Sequence, residues 1–334
     1  MSVSQKPTDN EDTRPMGSLI LFDVDAKAPT AFPYNSTNYA NPTLVLPFGG
    51  IALVAILLNV LLLIYILVRR LHNNFISSRF IMHLCFTNIV GLTFLLPMFL
   101  YTLWTGENLW ENNNAMCRIQ AFLMCTIWSV INSTTLCIAG VHLLTFARIH
   151  YDQLFGLTPK HLCYLAWAVG FAVSLPCITN SDIVLYDPIL RHCIWGSSDY
   201  SYKFLTYVMI LGIIIPSVLS YYAYLKVLKT LYHSPIVFQS IGLYQSRFIV
   251  FTFLLGPLYH APLIFISLYG SYKFQPESLI PIISMFVAYL PSILSPILYA
   301  ISLKQIKEED MQLTARAHKS TNAYTQVHTP GHHL

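Results

Sequence analysis

The chain has 334 residues, 55% of them hydrophobic and only 10% charged, with a formal net charge of +4. So apolar a composition excludes an ordinary soluble domain and points to a membrane protein, for which the bilayer is the solvent. No dense basic stretch stands out, so no nucleic-acid partner is expected.

Met1 to Pro42 is polar and acidic and reads as a disordered extracellular tail over 1–42. Its longest apolar run, Leu19 to Phe22, is too short for a signal-peptide core, which leaves the first span as the targeting signal. Asn35, in Asn35-Ser36-Thr37, is a glycosylation sequon in this tail. Crossing about 30 Å of hydrocarbon takes roughly 20 apolar residues per helix. Seven runs qualify: Thr43 to Val68, Phe80 to Trp104, Ala115 to Ala147, Leu162 to Leu175, Phe204 to Leu228, Phe248 to Tyr269 and Leu279 to Ile301. The expected fold is an all-α membrane protein, a seven-transmembrane helix bundle over 43–301.

Lys and Arg are retained on the cytoplasmic side. With an extracellular N-terminus, twelve of the nineteen basic residues and only four acids fall inside, leaving the inner face near +8 and the outer near −4. This asymmetry supports an extracellular N-terminus and a cytoplasmic C-terminus, a multi-pass chain in contact with membrane lipid. After Tyr299, Leu303 and Ile306 recur at helical spacing beside Lys304 and Lys307, the pattern of a short membrane-lying eighth helix over 302–313. The remainder, 314–334, reads as a disordered cytoplasmic tail whose Thr314, Ser320, Thr321, Thr325 and Thr329 are candidate kinase sites.

Of seven cysteines, Cys85, Cys125, Cys137, Cys163 and Cys177 sit in or at the ends of spans. Cys117 opens the third span and Cys193 lies in the second outer loop, an oxidising compartment, so one disulfide between them is expected.

All fifteen carboxylates fall in loops or tails. Proton relays and cationic-ligand sites depend on intramembrane carboxylates, so both chemistries lack their central group. The last span has no lysine for a retinal Schiff base. No phosphate-cradling loop, metal-spaced Cys/His cluster or nucleophile triad is visible, so neither an enzyme, a cofactor nor a metal is expected. The polar residues left in the spans are Asn59, His83, Asn88, Asn132, His142 and His260. Each serves at least as a helix-to-helix hydrogen bond, worth about 0.6 kcal/mol. His260 precedes Pro262, where a proline within a helix permits a kink.

Seven spans, the Cys117 and Cys193 placement, Asn59, Trp110, Trp167, Pro216 with Tyr224, Pro262, and Pro296 with Tyr299 resemble a rhodopsin-like (class A) G-protein-coupled receptor. Within that class, "AFLM" after Cys117, "YDQLF", "LCYLAW", "LYDPILRHC" and "APLIFISL" look similar to the melatonin-receptor-like branch. The resemblance implies a plasma-membrane receptor for an extracellular ligand that couples to a heterotrimeric G protein, with a receptor kinase and arrestin acting at the tail.

The departures from that pattern are specific. Asn88 stands where the class usually has a sodium-binding aspartate, His260 where it has the sixth-helix tryptophan, and Ser295 where it has asparagine before Pro296. Val141, His142 and Leu143 stand where an acidic residue or asparagine, then arginine, then tyrosine are usual. Imidazole is shorter than guanidinium and not permanently charged, so His142 either implies weak, altered or protonation-dependent coupling or is an interface histidine with no role of its own. A seven-helix ligand sink or dimer partner that does not couple is the alternative. Trp128 falls at the level where the third and sixth helices meet in this class, so it either exchanges partners with His260 in the switch or fills the space histidine leaves.

By position the resemblance implies a ligand pocket lined by Met124, Cys125, Trp128, His260, Phe265, Tyr289 and, from the outer loop, Trp195. It carries no fixed negative charge, which suits a neutral or lipophilic ligand. The group's two polar anchors for melatonin are replaced by Cys177 and Ser197, so melatonin itself is not the expected ligand.

Overall fold

The computed structural model describes residues 40–301 except 75, 111–112, 148–157, 197, 234–255 and 276; within them, side chains are described at all but 73–74, 142, 145–147, 230–233, 256–257 and 272. The Asn35 sequon, the expected eighth helix and the C-terminal tail lie outside the described residues.

Six helices long and apolar enough to cross a membrane occur among the described residues. They are α1 (Pro42–Val68), α2 (Ile76–Thr105), α3 (Asn114–Ala147), α4 (Pro159–Thr179), α5 (Asp199–Lys229) and α7 (Leu279–Ile301). The sixth expected span is described only from Gly256, as a 3-10 turn, Gly256–His260, followed by α6 (Ala261–Tyr269). Between α4 and α5 the chain departs from the all-helical expectation with an antiparallel hairpin, β1 (Val184–Asp187) and β2 (His192–Trp195). Several apolar helices of spanning length make this a membrane protein.

The helices differ in how far they are enclosed. Over its most apolar stretch α3 is 72% buried and α1 only 28%, so α3 is the central strut and α1 a peripheral one. The exposed side chains of α1 are Leu46, Leu53, Val54, Leu57, Leu61 and others of the same kind, suited to acyl chains. Hydrocarbon supplies no hydrophobic drive between helices, so close packing and hydrogen bonds must hold them together. Gly170 shows the packing: a Cβ there would lie 2.9 Å from Val130 Cγ2 and 3.1 Å from the Thr126 carbonyl oxygen, so only glycine lets α4 approach α3 this closely.

Proline shapes two of the helices. A proline ring clashes with the carbonyl four residues back, and a wider turn relieves it. In α2 a π turn spans Gly91–Leu95 just before Pro97, and in α5 another spans Met209–Ile214 just before Pro216. Pro262, expected to permit a kink, follows directly on a change of helix type. It sits in the first turn of α6, where a missing N–H costs nothing, and the preceding 3-10 turn ends at His260.

The hairpin follows from "LYDPILRHC". The Asp187 carboxylate accepts the backbone N–H groups of Ile189 (2.8 Å) and Leu190 (3.1 Å), Pro188 fixes the first turn residue, and Arg191 closes the loop at φ 57°. The Arg191 guanidinium donates back to the Pro188 carbonyl, and the Arg191 carbonyl accepts the Thr102 hydroxyl of α2 at 2.8 Å. Every residue of β2 is buried, so the strand is sunk among the helices rather than lying over them.

Candidate functional site

The hairpin is fastened to α3 by the Cys117–Cys193 disulfide, as the sequence leads one to expect, with Cα atoms 5.4 Å apart. Two residues along β2, Trp195 meets Trp128 of α3 edge to face, with ring centroids 6.4 Å apart. Trp128 in turn meets His260 edge to face at 4.9 Å. A continuous aromatic chain therefore runs from the disulfide-tethered hairpin through α3 to the residue that caps α6.

Of the other expected lining residues, Met124 and Cys125 are buried on α3 about one turn before Trp128. The Cys125 thiol lies close to that of Cys177 on α4. Tyr289 of α7 is buried, with its ring 6.2 Å from that of Phe99. Phe265 is the exception. It is 66% exposed and stacks on Tyr269 along the outer face of α6, because it lies on the opposite side of that helix from the buried Leu263 and Ile266. It is removed from the site and reads as a lipid-facing residue.

Sequence reasoning missed a polar relay at the hairpin end, and its hydrogen-bond directions can be deduced. The Trp110 indole can only donate, and its Nε1 lies 2.8 Å from Gln120 Oε1. That fixes the amide, so Gln120 Nε2 donates toward His192 Nε2 at 3.3 Å. His192 Nδ1 faces the Cys193 carbonyl at 2.8 Å and must carry the proton, which leaves Nε2 as an acceptor. The Tyr289 hydroxyl, 3.0 Å from the same Nε2, is then a second donor. Burial pushes the His192 imidazole down to about 4, so it is neutral. Asp187 beside it is held above the usual carboxylate range by burial, against the bonds it accepts from Ser271, Leu190 and Ile189 and the nearby Arg191 charge. One signal in the sequence marks this region: Asp187-Pro188, a turn dipeptide between two short β-prone runs.

Toward the other end of the bundle a second network joins α1, α2 and α7. Asn59 Nδ2 donates to the carbonyls of Ala55 (2.9 Å) and Ser292 (3.1 Å), which leaves its Oδ1 to accept from Asn88 Nδ2 at 3.2 Å. Asn88 Nδ2 also donates to Ser295 Oγ at 2.6 Å. Two of the substituted positions, Asn88 and Ser295, are thus bonded to each other. Pro296, the next residue of α7, is buried. Tyr224 of α5 and Tyr299 of α7 are both buried and within electrostatic reach of each other. The Thr135 hydroxyl donates to the Ile131 carbonyl at 2.8 Å, so its oxygen accepts the Tyr299 O–H, tying α7 to α3. His142 lies on α3, with its side chain outside those described.

Trp167 Nε1 donates to His83 Nε2 at 2.8 Å, joining α4 to α2 and fixing His83 as the neutral tautomer with its proton on Nδ1. Asn132 bonds within its own helix, to the Trp128 carbonyl at 2.9 Å.

Comparison with known proteins finds no family model that matches the chain and no matching curated protein.

Proposed function

We propose that the protein is a rhodopsin-like G-protein-coupled receptor, akin to the melatonin-receptor-like branch, in the plasma membrane. It senses an extracellular ligand, neutral or lipophilic, and signals through a heterotrimeric G protein. The observation that carries this reading is the chain from Trp195 through Trp128 to His260. It makes a loop held at one end of the bundle touch the start of the proline-led helix α6. In this reading a ligand that displaces Trp195 or Trp128 changes the packing of His260 directly, and the 3-10 turn ahead of Pro262 is the hinge about which α6 reorients.

The Tyr224 and Tyr299 pair with its Thr135 tether supports a switch at the other end of the same helices. His142, in place of the usual arginine, supports the second reading, a seven-helix protein that binds its ligand without coupling. The test is capture of a nucleotide-free G-protein heterotrimer by the purified full-length protein. A complex that dissolves on adding a GTP analogue supports coupling, and the lack of one for every heterotrimer class, in both the wild type and His142→Arg, favours the ligand sink.

A further inference from the structure

The relay around His192 is short of acceptors. An imidazole nitrogen has one lone pair, and here both Gln120 Nε2 and the Tyr289 hydroxyl point donors at it. The second N–H of Gln120 has no acceptor among the described residues. Three residues along the same strand, the Trp195 indole presents another donor. Trp195 is only 7% exposed, and its Nε1–H finds no hydrogen-bond partner among the described residues. An indole nitrogen cannot turn into an acceptor, so a donor with no partner among the described residues is matched by a ligand that brings an acceptor to it. Against it lies the apolar ring of Trp128, edge to face at 6.4 Å.

We infer that Trp195 Nε1–H is the hydrogen-bond anchor of the ligand, and that the ligand carries a neutral acceptor, a carbonyl or ether oxygen, on a flat apolar body. This deepens the proposed ligand-sensing function and rests on it. A cationic amine is disfavoured because it would bring another donor to Trp195, and the hairpin's carboxylate, Asp187, is paired opposite His192 rather than Trp195 and already accepts from Ile189 and Leu190. A carboxylate ligand would match the donors but would have to shed its water on burial, and the hairpin's guanidinium, Arg191, is engaged at the Pro188 carbonyl, so the desolvation costs more than one hydrogen bond returns. A neutral oxygen satisfies the indole without either penalty.

The test uses the purified full-length protein in lipid nanodiscs and three probes of one shape: 2-acetylnaphthalene, 2-isopropylnaphthalene and 2-(1-aminoethyl)naphthalene. Binding is read by competition and by the indole N–H signals of the isotopically labelled protein. The ketone is expected to bind about tenfold more tightly than the hydrocarbon, the amine more weakly than either, and the ketone alone to shift the Trp195 N–H resonance. Trp195→Phe keeps the ring and loses the donor, so it should bring the ketone down to the hydrocarbon without changing the latter. Equal wild-type affinities, a preference that survives Trp195→Phe, tighter binding of the amine, or no binding by any probe would overturn the inference. If Trp195→Phe fails to fold, the wild-type resonance decides alone: a ketone that binds without shifting it overturns the assignment. Because no G protein takes part, failure of coupling leaves this result standing, and the two readings fail separately.

Discussion

Burial of a neutral His192 makes the stability of the protein depend on pH, and the size of the effect follows from its surroundings. In the unfolded chain a histidine titrates near about 6.5, whereas in the fold burial pushes it down to about 4. Between those values the unfolded state binds the extra proton and the folded state does not, so stability rises with pH across that window and falls on acidification. At about 1.4 kcal/mol per unit, acidifying from about pH 7.5 to about pH 5 removes about 2 kcal/mol. His192→Gln keeps a neutral acceptor for the Gln120 and Tyr289 donors and cannot take up a proton. Unfolding of the nanodisc-held protein should be followed at several pH values, wild type beside variant, so that other titrating groups cancel in the difference. The wild type should lose about 2 kcal/mol more than His192→Gln over this range. Parallel curves would refute the buried neutral histidine, and with it the hydrogen-bond directions deduced around it.

Other changes probe the packing and the two networks. Gly170→Val should cost at least about 1–3 kcal/mol in thermal unfolding and lower the folded yield, because its side chain meets Val130 and the Thr126 backbone. Asn88→Leu deprives Asn59 Oδ1 and Ser295 Oγ of a shared donor, for a loss of about 1–3 kcal/mol. Asn88→Asp should be tolerated better only where the added carboxyl is protonated, a difference read by unfolding at low and neutral pH. Cys117→Ser and Cys193→Ser should destabilise equally, and the double variant no more than either single one, since both remove the same bridge. In a double-variant cycle, Trp128→Leu and His260→Leu should be non-additive by about 0.5–1.5 kcal/mol, whereas additive effects would mean that the ring contact carries no energy.

The spans were legible because an intramembrane helix must be apolar along its length, and that signal needs no partner. α1 begins and ends, and α3 and α7 begin, within one residue of the runs read from sequence, while the residues directly after Ala147 and Ile301 lie outside those described. The fourth helix is longer than its apolar run, Leu162 to Leu175, because Pro159 starts it and Pro176 lets it continue as one further turn to Thr179. The disulfide was legible because only two cysteines lie away from the membrane interior. The hairpin and its relay were not, since Gln120, His192 and Tyr289 are 72 to 169 residues apart and nothing local announces their meeting. Phe265 was misplaced for a related reason. In a segment where every residue is apolar, periodicity cannot tell a bundle-facing side from a lipid-facing one. Asn88 and Ser295 each read as a loss of a familiar group, and only the structure shows the two bonded to one another.

The central claim, that the bundle is a switch read by a G protein, is tested most directly by guanine-nucleotide exchange in membranes holding the surface-expressed protein, wild type beside His142→Arg. The account predicts exchange above membranes lacking the protein, and faster exchange for His142→Arg, because guanidinium restores the donors and the permanent charge that imidazole lacks. Exchange at the background rate for both proteins, with and without the ketone probe bound, would contradict it.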